Sequence, residues 1–441
     1  MKTIKRTVSE IIDNEFREFS MYTIESRAIP SAIDGLKITG RKILYAMINE
    51  HGGKRVKVAE LGGGLAKFNY HHGEVSAMGT AVGMSQDWSN NVPLLTGHGN
   101  FGSRLVPEAA APRYIFSSLS ENYKKYFSDV EVCPFAFDKE NPEPAFYLPI
   151  IPWVLVNGIS GIAVGFKADI LPRSPKDLIE ATKACLANPS SFLKENKIIL
   201  PSFPSFKGKI EHIALNQYKT IGTIEYVGRY LYKISELPIG YDRESYMEFL
   251  NGLIDKELIK DYEDQCSKDG FGFEVKLTAS QKMVADRDLN KYFKLEKSHT
   301  EILTTLGYDG KLKIFESVAE LIHYFVQYRL TKFGDKIQYD ILSKTNELEE
   351  LTLRAKFIQV VIEQKVDLRN RTKEQLLDFI FQEISPKDFA RKFINIPLYE
   401  CTKDEIVKLQ EKIIKVKEVL GHLSKITPTK LFDIQLASVK K

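Results

Sequence analysis

The side chains best suited to chemistry are Tyr114 and the basic groups around it. The run Ala110-Ala111-Pro112-Arg113-Tyr114-Ile115-Phe116 sets an arginine beside a tyrosine after small residues, and Tyr70-His71-His72-Gly73-Glu74 lies about forty residues upstream. A phenol is a poor nucleophile at neutral pH, because its reference pKa is roughly 10. It becomes useful where cations stabilise its oxyanion and the charge developing on an attacked phosphate. The pattern therefore points to a tyrosine that bonds covalently to nucleic acid.

The surroundings strengthen that reading. Residues 27–57 hold seven basic groups (Arg27, Lys37, Arg41, Lys42, Lys54, Arg55, Lys57) against two acids, Asp34 and Glu50. Such a stripe can neutralise backbone phosphates, although charge alone fits a solvated helix face equally well. Four of the eight histidines (His51, His71, His72, His98) fall within residues 51–98. A histidine pair or a lone tyrosine is ordinarily structural; here the grouping with Arg113 gives them weight. The net charge of +4 is too mild to establish nucleic-acid binding by itself.

Several other classes are disfavoured. Cys133, Cys185, Cys266 and Cys401 lie far apart without metal-ligand spacing, against zinc or a disulfide framework and in keeping with a reducing cytoplasm. Gly97-His98-Gly99-Asn100-Phe101-Gly102 matches a dinucleotide fingerprint, but no good strand is expected before it, and Pro107 and Pro112 disrupt the helix required after it. Gly62-Gly63-Gly64-Leu65-Ala66-Lys67 lacks the spacing of a nucleoside-triphosphate loop, so no ATP site is expected in this chain. Ala145 to Phe166 is 22 residues without a charge, yet two prolines, Asn157 and three glycines favour buried strands and turns over a membrane helix. The N-terminus shows no signal peptide.

The elements that must position these groups can be read in outline. With 441 residues, 43% of them hydrophobic, the chain supports several domains. Val8, Ile11, Ile12, Phe16, Phe19 and Ile24 recur at helical spacing, predicting an N-terminal arm able to pack on a partner. From Arg27 to about Ile150 helical patterns alternate with glycine-rich turns, as in a winged-helix domain. Tyr218–Val227, Tyr230–Ile234 and Gly270–Leu277 alternate like strands around a helix over Asp242–Ile254, a separate α+β region. Ser317-Val318-Ala319-Glu320 reads as a capping box opening a helix to about Lys365, roughly 70 Å of rise. Thr402-Lys403-Asp404-Glu405 opens a second helix whose Ile406, Leu409, Ile413, Val416, Leu420 and Leu423 form a heptad seam. The two are expected to pair as an antiparallel stalk, with residues 366–401 as a small globule at its end.

Taken together, Arg27-Ala28-Ile29-Pro30, Asp34-Gly35-Leu36-Lys37, Arg41-Lys42-Ile43-Leu44-Tyr45-Ala46-Met47, the Tyr70–Glu74 run, Gly99-Asn100-Phe101-Gly102-Ser103 and Arg113-Tyr114 stand in the order seen in type IIA DNA topoisomerases. Leu148-Pro149-Ile150-Ile151-Pro152 and the run from Val156 to Gly165 extend the resemblance over nearly the whole chain. Size and layout resemble the phage-encoded breakage-reunion subunit of a multi-subunit enzyme. Departures occur at Ile38-Thr39-Gly40, which lacks the usual proline after Leu-Lys, at Pro112, and at His98 where glutamine is frequent. Val75 stands where many bacterial members carry serine, leaving fluoroquinolone sensitivity open.

The resemblance implies an α+β multidomain chain: an N-terminal arm (1–26), a winged-helix cleavage domain (27–150), a tower domain (151–315), and a long antiparallel coiled coil with a helical C-gate (316–441). It implies that Tyr114 takes a DNA 5′ end as a phosphotyrosine, assisted by Arg113, Arg41 and His72. Ile162 would wedge between base pairs, and Lys37, Lys42, His71 and Ser103 would contact DNA. No metal ligands are implied in this chain. Mg2+ and ATP would be held by an ATPase and metal-binding partner subunit, and the chain would form a homodimer through its C-gate, because cutting both strands calls for two tyrosines about a twofold axis. The expected place is the cytoplasm, that of a bacterial host for a phage protein, with no membrane partner. The chain ends after the returning helix without a DNA-wrapping domain, favouring relaxation and decatenation over supercoiling. Alternatives are a catalytically silent DNA-binding scaffold of the same architecture and a tyrosine recombinase; the latter expects a tyrosine near the C-terminus and a 3′ linkage.

Overall fold

A computed structural model describes residues 6–135, 143–363, 365, 372–384, 393 and 395–439. The described chain is a mixed α/β protein falling into two compact units, one running through Arg329 and including the segment from Gln435 onward, the other Leu330–Ile434. No described helix is long and apolar enough to cross a membrane.

The first unit opens with a helical arm, capped by Thr7, whose side chain accepts from the Glu10 amide while Glu10 reaches back to the Thr7 amide. Its helix passes through two π-helical stretches, Ile12–Phe16 and Ile24–Ala28. The apolar residues expected on one face are present but largely uncovered: Val8, Ile11, Ile12, Phe16 and Phe19 are all exposed. The root of the arm is buried, where Ile24, Ala28 and Ile29 form a cluster with Ala168.

Next come three helices, α1 (Ile38–Asn49), α2 (Val58–Gly63) and α3 (Glu74–Ser85), with a three-stranded antiparallel sheet. The sheet runs β1 (Val56–Lys57), β3 (Phe116–Leu119), β2 (Leu95–His98) across its width, with β3 central. Ile43, Leu44, Met47, Val58, Leu61, Ala77 and Ala81 are inaccessible to solvent. Each large aliphatic side chain removed from water in this way contributes about 1.5–3 kcal/mol. The strand β2 corrects one expectation, since it runs directly into the Gly97–Gly102 glycines. No helix follows until Glu121, so the dinucleotide geometry is still missing.

The uncharged segment folds as turns and a hairpin. A 3-10 turn at Trp153–Leu155 leads into β4 (Ile159–Ile162), paired antiparallel with β5 (Lys167–Ile170). Beyond it lie a sheet of β12 (Glu296–Thr300), β7 (Gln217–Ile221) and β6 (Lys209–Ala214), and a sheet of β10 (Asp261–Asp264), β11 (Phe273–Lys276), β9 (Leu231–Glu236) and β8 (Thr223–Gly228). The single strand expected over Tyr218–Val227 is thus two strands in different sheets, parted at Gly222. The helix α4 (Arg243–Asp255) starts on an Asp242–Ser245 capping box and packs Tyr246 and Leu250 against Phe273, Val275 and Phe293. Arg173 and Glu301, both fully buried, form a two-pronged ion pair (2.7 and 2.8 Å) that ties the end of β5 to the end of β12. Breaking such a pair by removing one partner costs about 3–5 kcal/mol.

The helix α5 (Val318–Ile362) has the expected extent. Its cap differs in detail: Ser317 accepts from the Glu320 amide at 3.2 Å, but the Glu320 carboxylate reaches past Ser317 to the Glu316 amide at 2.8 Å. In the first unit its buried Arg329 meets Asp129 at 2.6 Å. In the second unit, Phe357 and Ile358 pack in one cluster with Ile380 of α6 (Lys373–Glu383) and Leu409 of α7 (Lys403–Leu423). Leu409 and Val416 are the buried members of the heptad seam, whereas Ile406, Ile413, Leu420 and Leu423 are half-covered. Much of the globule expected over residues 366–401 lies outside the described residues.

Candidate active site and nucleic-acid interface

Tyr114 sits on a turn, its amide bonded to the Ala111 carbonyl at 2.9 Å, and its side chain is 68% exposed. The turn is fastened to α2, where the Ala59 amide donates to the Pro112 carbonyl at 3.3 Å and the Val58 amide to the Ile115 carbonyl at 3.1 Å. The fold thus holds the backbone on either side of Tyr114 and leaves the phenol in solvent. Arg113 is also exposed, and its guanidinium carbon lies 5.0 Å from the centre of the Tyr114 ring. This is within the range of a cation–π contact. It places a permanent positive charge against the ring of Tyr114.

Arg41 projects from the first turn of α1. Asp34, with no exposed surface, grips it through Nε at 2.8 Å and Nη2 at 3.1 Å, and the Leu36 carbonyl accepts from Nη2 at 3.3 Å. Burial alone would lower the guanidinium pKa; the charge and hydrogen bonds of Asp34 outweigh it and hold the value above the ordinary one. Arg41 is therefore a fixed cation in a rigid frame.

His72 lies at the entry to α3 and is half-buried. Its ring is edge-on to Tyr70 at 5.3 Å and tilted against Tyr22 of the arm at 6.0 Å. Tyr70 in turn meets the Thr39 hydroxyl of α1 at 3.4 Å. His71 beside it is exposed. Among the described residues no hydrogen bond or ion pair joins Arg41 or His72 to Arg113 or Tyr114. The chain presents them as two separately anchored groups.

Among the residues read as DNA contacts, Ile162 ends β4 with 78% of its surface free. Such exposure of a large aliphatic side chain at a hairpin tip suits insertion between bases. Lys37 caps α1 from outside, half-buried, and burial lowers its pKa. Two placements run against the sequence reading. Lys42 is buried, its ammonium 2.5 Å from both the Phe68 carbonyl and Glu143, so its charge is engaged inside the domain. Ser103 is half-buried, and its hydroxyl accepts from the Val106 amide at 3.2 Å inside its own turn.

Residues 27–439 match the family model of the DNA gyrase/topoisomerase IV A subunit. The chain belongs to this family. The DNA topoisomerase medium subunit of Enterobacteria phage T4 is 35% identical, over 95% of each chain. The mitochondrial DNA topoisomerase 2 of Dictyostelium discoideum is 33% identical over 99% of this chain, which spans 35% of that longer protein. Among solved structures, the DNA-binding, cleavage and re-ligation domain of Plasmodium falciparum topoisomerase II superposes with a TM-score of 0.89 at 27% identity, covering 98% of this chain and 64% of that one. This member of the gyrase/topoisomerase IV family is accordingly an enzyme, the DNA-cleaving and rejoining component of a type II topoisomerase.

Sequence reasoning misses three contributors to this site. Asp34 stands in the sequence as part of a motif and as one of two acids in the basic stripe, yet it anchors Arg41. Tyr70 joins α1 to His72 through its ring and hydroxyl. Arg104, just past Gly102, makes the most extensive polar contacts of the loop before Tyr114. The first two have a signal in the motif itself; the third has none.

Proposed function

We propose that Tyr114 is the nucleophile of the cleavage step. The observation that carries this is the contact between the Arg113 guanidinium and the ring of an otherwise exposed Tyr114. Its phenolic oxygen attacks a backbone phosphorus, a P–O bond to tyrosine forms, and the bond to the 3′ oxygen breaks. The phenol gives up its proton as attack proceeds, and the departing 3′ oxygen takes one up. The product is a 5′-phosphotyrosine, and reversal reseals the strand because one phosphate ester has replaced another. Arg113 and Arg41 stabilise the charge on the reacting phosphate, and His72, braced by Tyr70 and Tyr22, donates to it.

The same reading assigns the rest of the chain. α1–α3 and the β1–β3–β2 sheet form a winged-helix domain within residues 27–150, preceded by the arm (1–26). Residues 151–315 form a tower, and residues 316–441 a coiled coil and C-gate through which two copies pair. The buried Leu409 and Phe357 in one cluster support the pairing of α5 and α7. Ile162 wedges the gate duplex open, with Lys37 and His71 on phosphates. Passage of a second duplex through the break changes linking number or resolves catenanes. The enzyme works in the cytoplasm, that of a bacterial host for a phage protein.

Type II enzymes use magnesium and ATP. Among the described residues no group of three or more His, Cys, Asp or Glu side chains is placed to hold a metal ion, and Tyr114 is flanked by a cation. By the same reading, the ion and ATP are held by a partner subunit that completes the site.

The test is to mix the chain with its partner subunit, magnesium, ATP and end-labelled duplex DNA, then denature abruptly. A covalent adduct on the 5′ end, lost in Tyr114→Phe, is expected. Tight DNA binding with no adduct in the wild type would instead identify a silent scaffold.

A further inference from the structure

No helix or strand lies between the end of β2 at His98 and the start of β3 at Phe116, yet this stretch must deliver Arg113 and Tyr114 to a phosphate with sub-ångström accuracy. An unanchored loop of that length has far too much conformational freedom for the task. Its base is fixed by the Ala110 amide on the Asn100 carbonyl, at 2.9 Å. Its tip is a tight turn in which the Ser103 amide donates to the Val106 carbonyl at 2.8 Å. Gly102 makes the turn possible: its φ is +80°, and a Cβ there would lie 2.5 Å from the Pro107 carbonyl oxygen.

The turn drives two side chains into the neighbouring β8–β9–β11–β10 module. Leu105 packs against that module's core, and its carbonyl accepts from the Arg243 amide at 3.1 Å, a free donor at the start of α4. Arg104 lies between the rings of Phe206 and Phe271, at 5.5 and 5.1 Å from their centres. Its guanidinium meets Glu236 at 3.0 Å, the Leu237 carbonyl at 3.1 Å and the Ser205 carbonyl at 3.4 Å. Glu236 is itself buried and also accepts from the Lys207 amide at 2.9 Å. Cavities of about 340 and 440 Å3, both lined by Trp88 and Arg104, lie along this contact. On the module's side the loop is therefore held by the peg rather than by a continuous packed face, while its root is held by the buried Phe101, whose carbonyl accepts from Gln86 at 3.0 Å and Trp88 at 3.1 Å.

We propose that Arg104 and Leu105 form a peg through which this module sets the position of the Arg113–Tyr114 turn, which makes Arg104 a positioning residue for strand cleavage. The inference rests on Tyr114 being the nucleophile. Arg104 is already committed to a carboxylate, so its role is separate from phosphate binding. The peg adds a second anchor to the α2 bonds at Pro112 and Ile115, so the turn is held from both the module and its own domain.

The experiment compares Arg104→Ala, Leu105→Ala, Glu236→Gln and the exchanged pair Arg104→Glu/Glu236→Arg in the enzyme assembled with its partner subunit. Gate-DNA affinity, melting temperature and the single-turnover rate of adduct formation at saturating DNA are measured for each. The expected result is adduct formation slowed roughly 10- to 100-fold per DNA-bound enzyme in Arg104→Ala and Leu105→Ala. DNA affinity stays unchanged, and the exchanged pair recovers part of the rate. A wild-type rate per bound enzyme in either folded variant overturns the proposal, even where the melting temperature has dropped. If Arg104→Ala fails to fold, Leu105→Ala and Glu236→Gln decide by the same criterion. Tyr114→Phe is run alongside: an adduct surviving there sinks the nucleophile assignment itself, a different failure from normal rates in the peg variants.

Discussion

Asp34 and Arg41 form a fork-to-fork pair, Nε to Oδ2 at 2.8 Å and Nη2 to Oδ1 at 3.1 Å, with the carboxylate wholly buried. The same carboxylate accepts from the Leu36 and Tyr147 amides, both at 3.0 Å, so it ties the arginine to two backbone segments. Asp34→Ala leaves a guanidinium without its counter-charge and is expected to cost about 3–5 kcal/mol in urea unfolding. Asp34→Asn keeps an acceptor and most of the fold but loosens Arg41, slowing adduct formation. Unchanged unfolding of the alanine variant would show that the pair contributes nothing.

Arg113 offers the complementary case, a charge that the fold does not need. It is exposed, so Arg113→Ala should alter stability by no more than about 0.5 kcal/mol. If its charge stabilises the attacked phosphate, adduct formation falls roughly 10²- to 10³-fold. Arg113→Lys should recover only part of the rate, because an ammonium lacks the planar fork. Full recovery in single-turnover assays would mean that charge alone matters there.

How much of this is legible in the sequence differs from element to element. Helices with long periodic patterns, α5 and α7, are readable because 3.6- and 3.5-residue repeats persist over many turns. The motifs give Arg113, Tyr114 and Arg41 directly. Lys42 escapes because charge counting cannot tell which of two adjacent basic residues faces inward; on α1 they point about 100° apart, and Lys42 finds Glu143, a partner 101 residues away. The boundary at Gly222 is hidden because alternation continues through it while the chain changes sheets. Arg104 is invisible for the same reason as Lys42: Glu236, 132 residues distant, is what gives it a role.

The hairpin carrying Ile162 leads to a pair of opposite expectations. A Cβ at Gly161 would lie 2.0 Å from the Ala28 carbonyl oxygen, a backbone atom that cannot swing aside. Gly161→Ala must therefore shift the ribbon, and is expected to destabilise the chain by about 1–3 kcal/mol. Ile162→Ala removes a side chain that is 78% exposed and should leave thermal stability nearly unchanged. Both variants should reduce bending of a gate duplex labelled at its two ends for energy transfer. Normal bending in Ile162→Ala would exclude it as the wedge.

Lys37 tests the electrostatic half of the interface. Burial lowers its pKa, and no described acceptor bonds its ammonium. Between the depressed folded value and the ordinary one near 10.4, the unfolded chain binds more protons, so stability rises with pH across that window. Below the folded value the charge is a cost to the free chain, which a DNA phosphate at the ammonium would offset. Lys37→Met should accordingly leave the free chain no less stable at neutral pH and remove the gain in stability towards alkaline pH. It should also weaken DNA binding and reduce the slope of log K against log salt by about one. Thermal unfolding from neutral to alkaline pH and a salt titration of gate-DNA affinity check both halves. An unchanged salt slope would take Lys37 out of the DNA contact, whatever happened to the melting temperature.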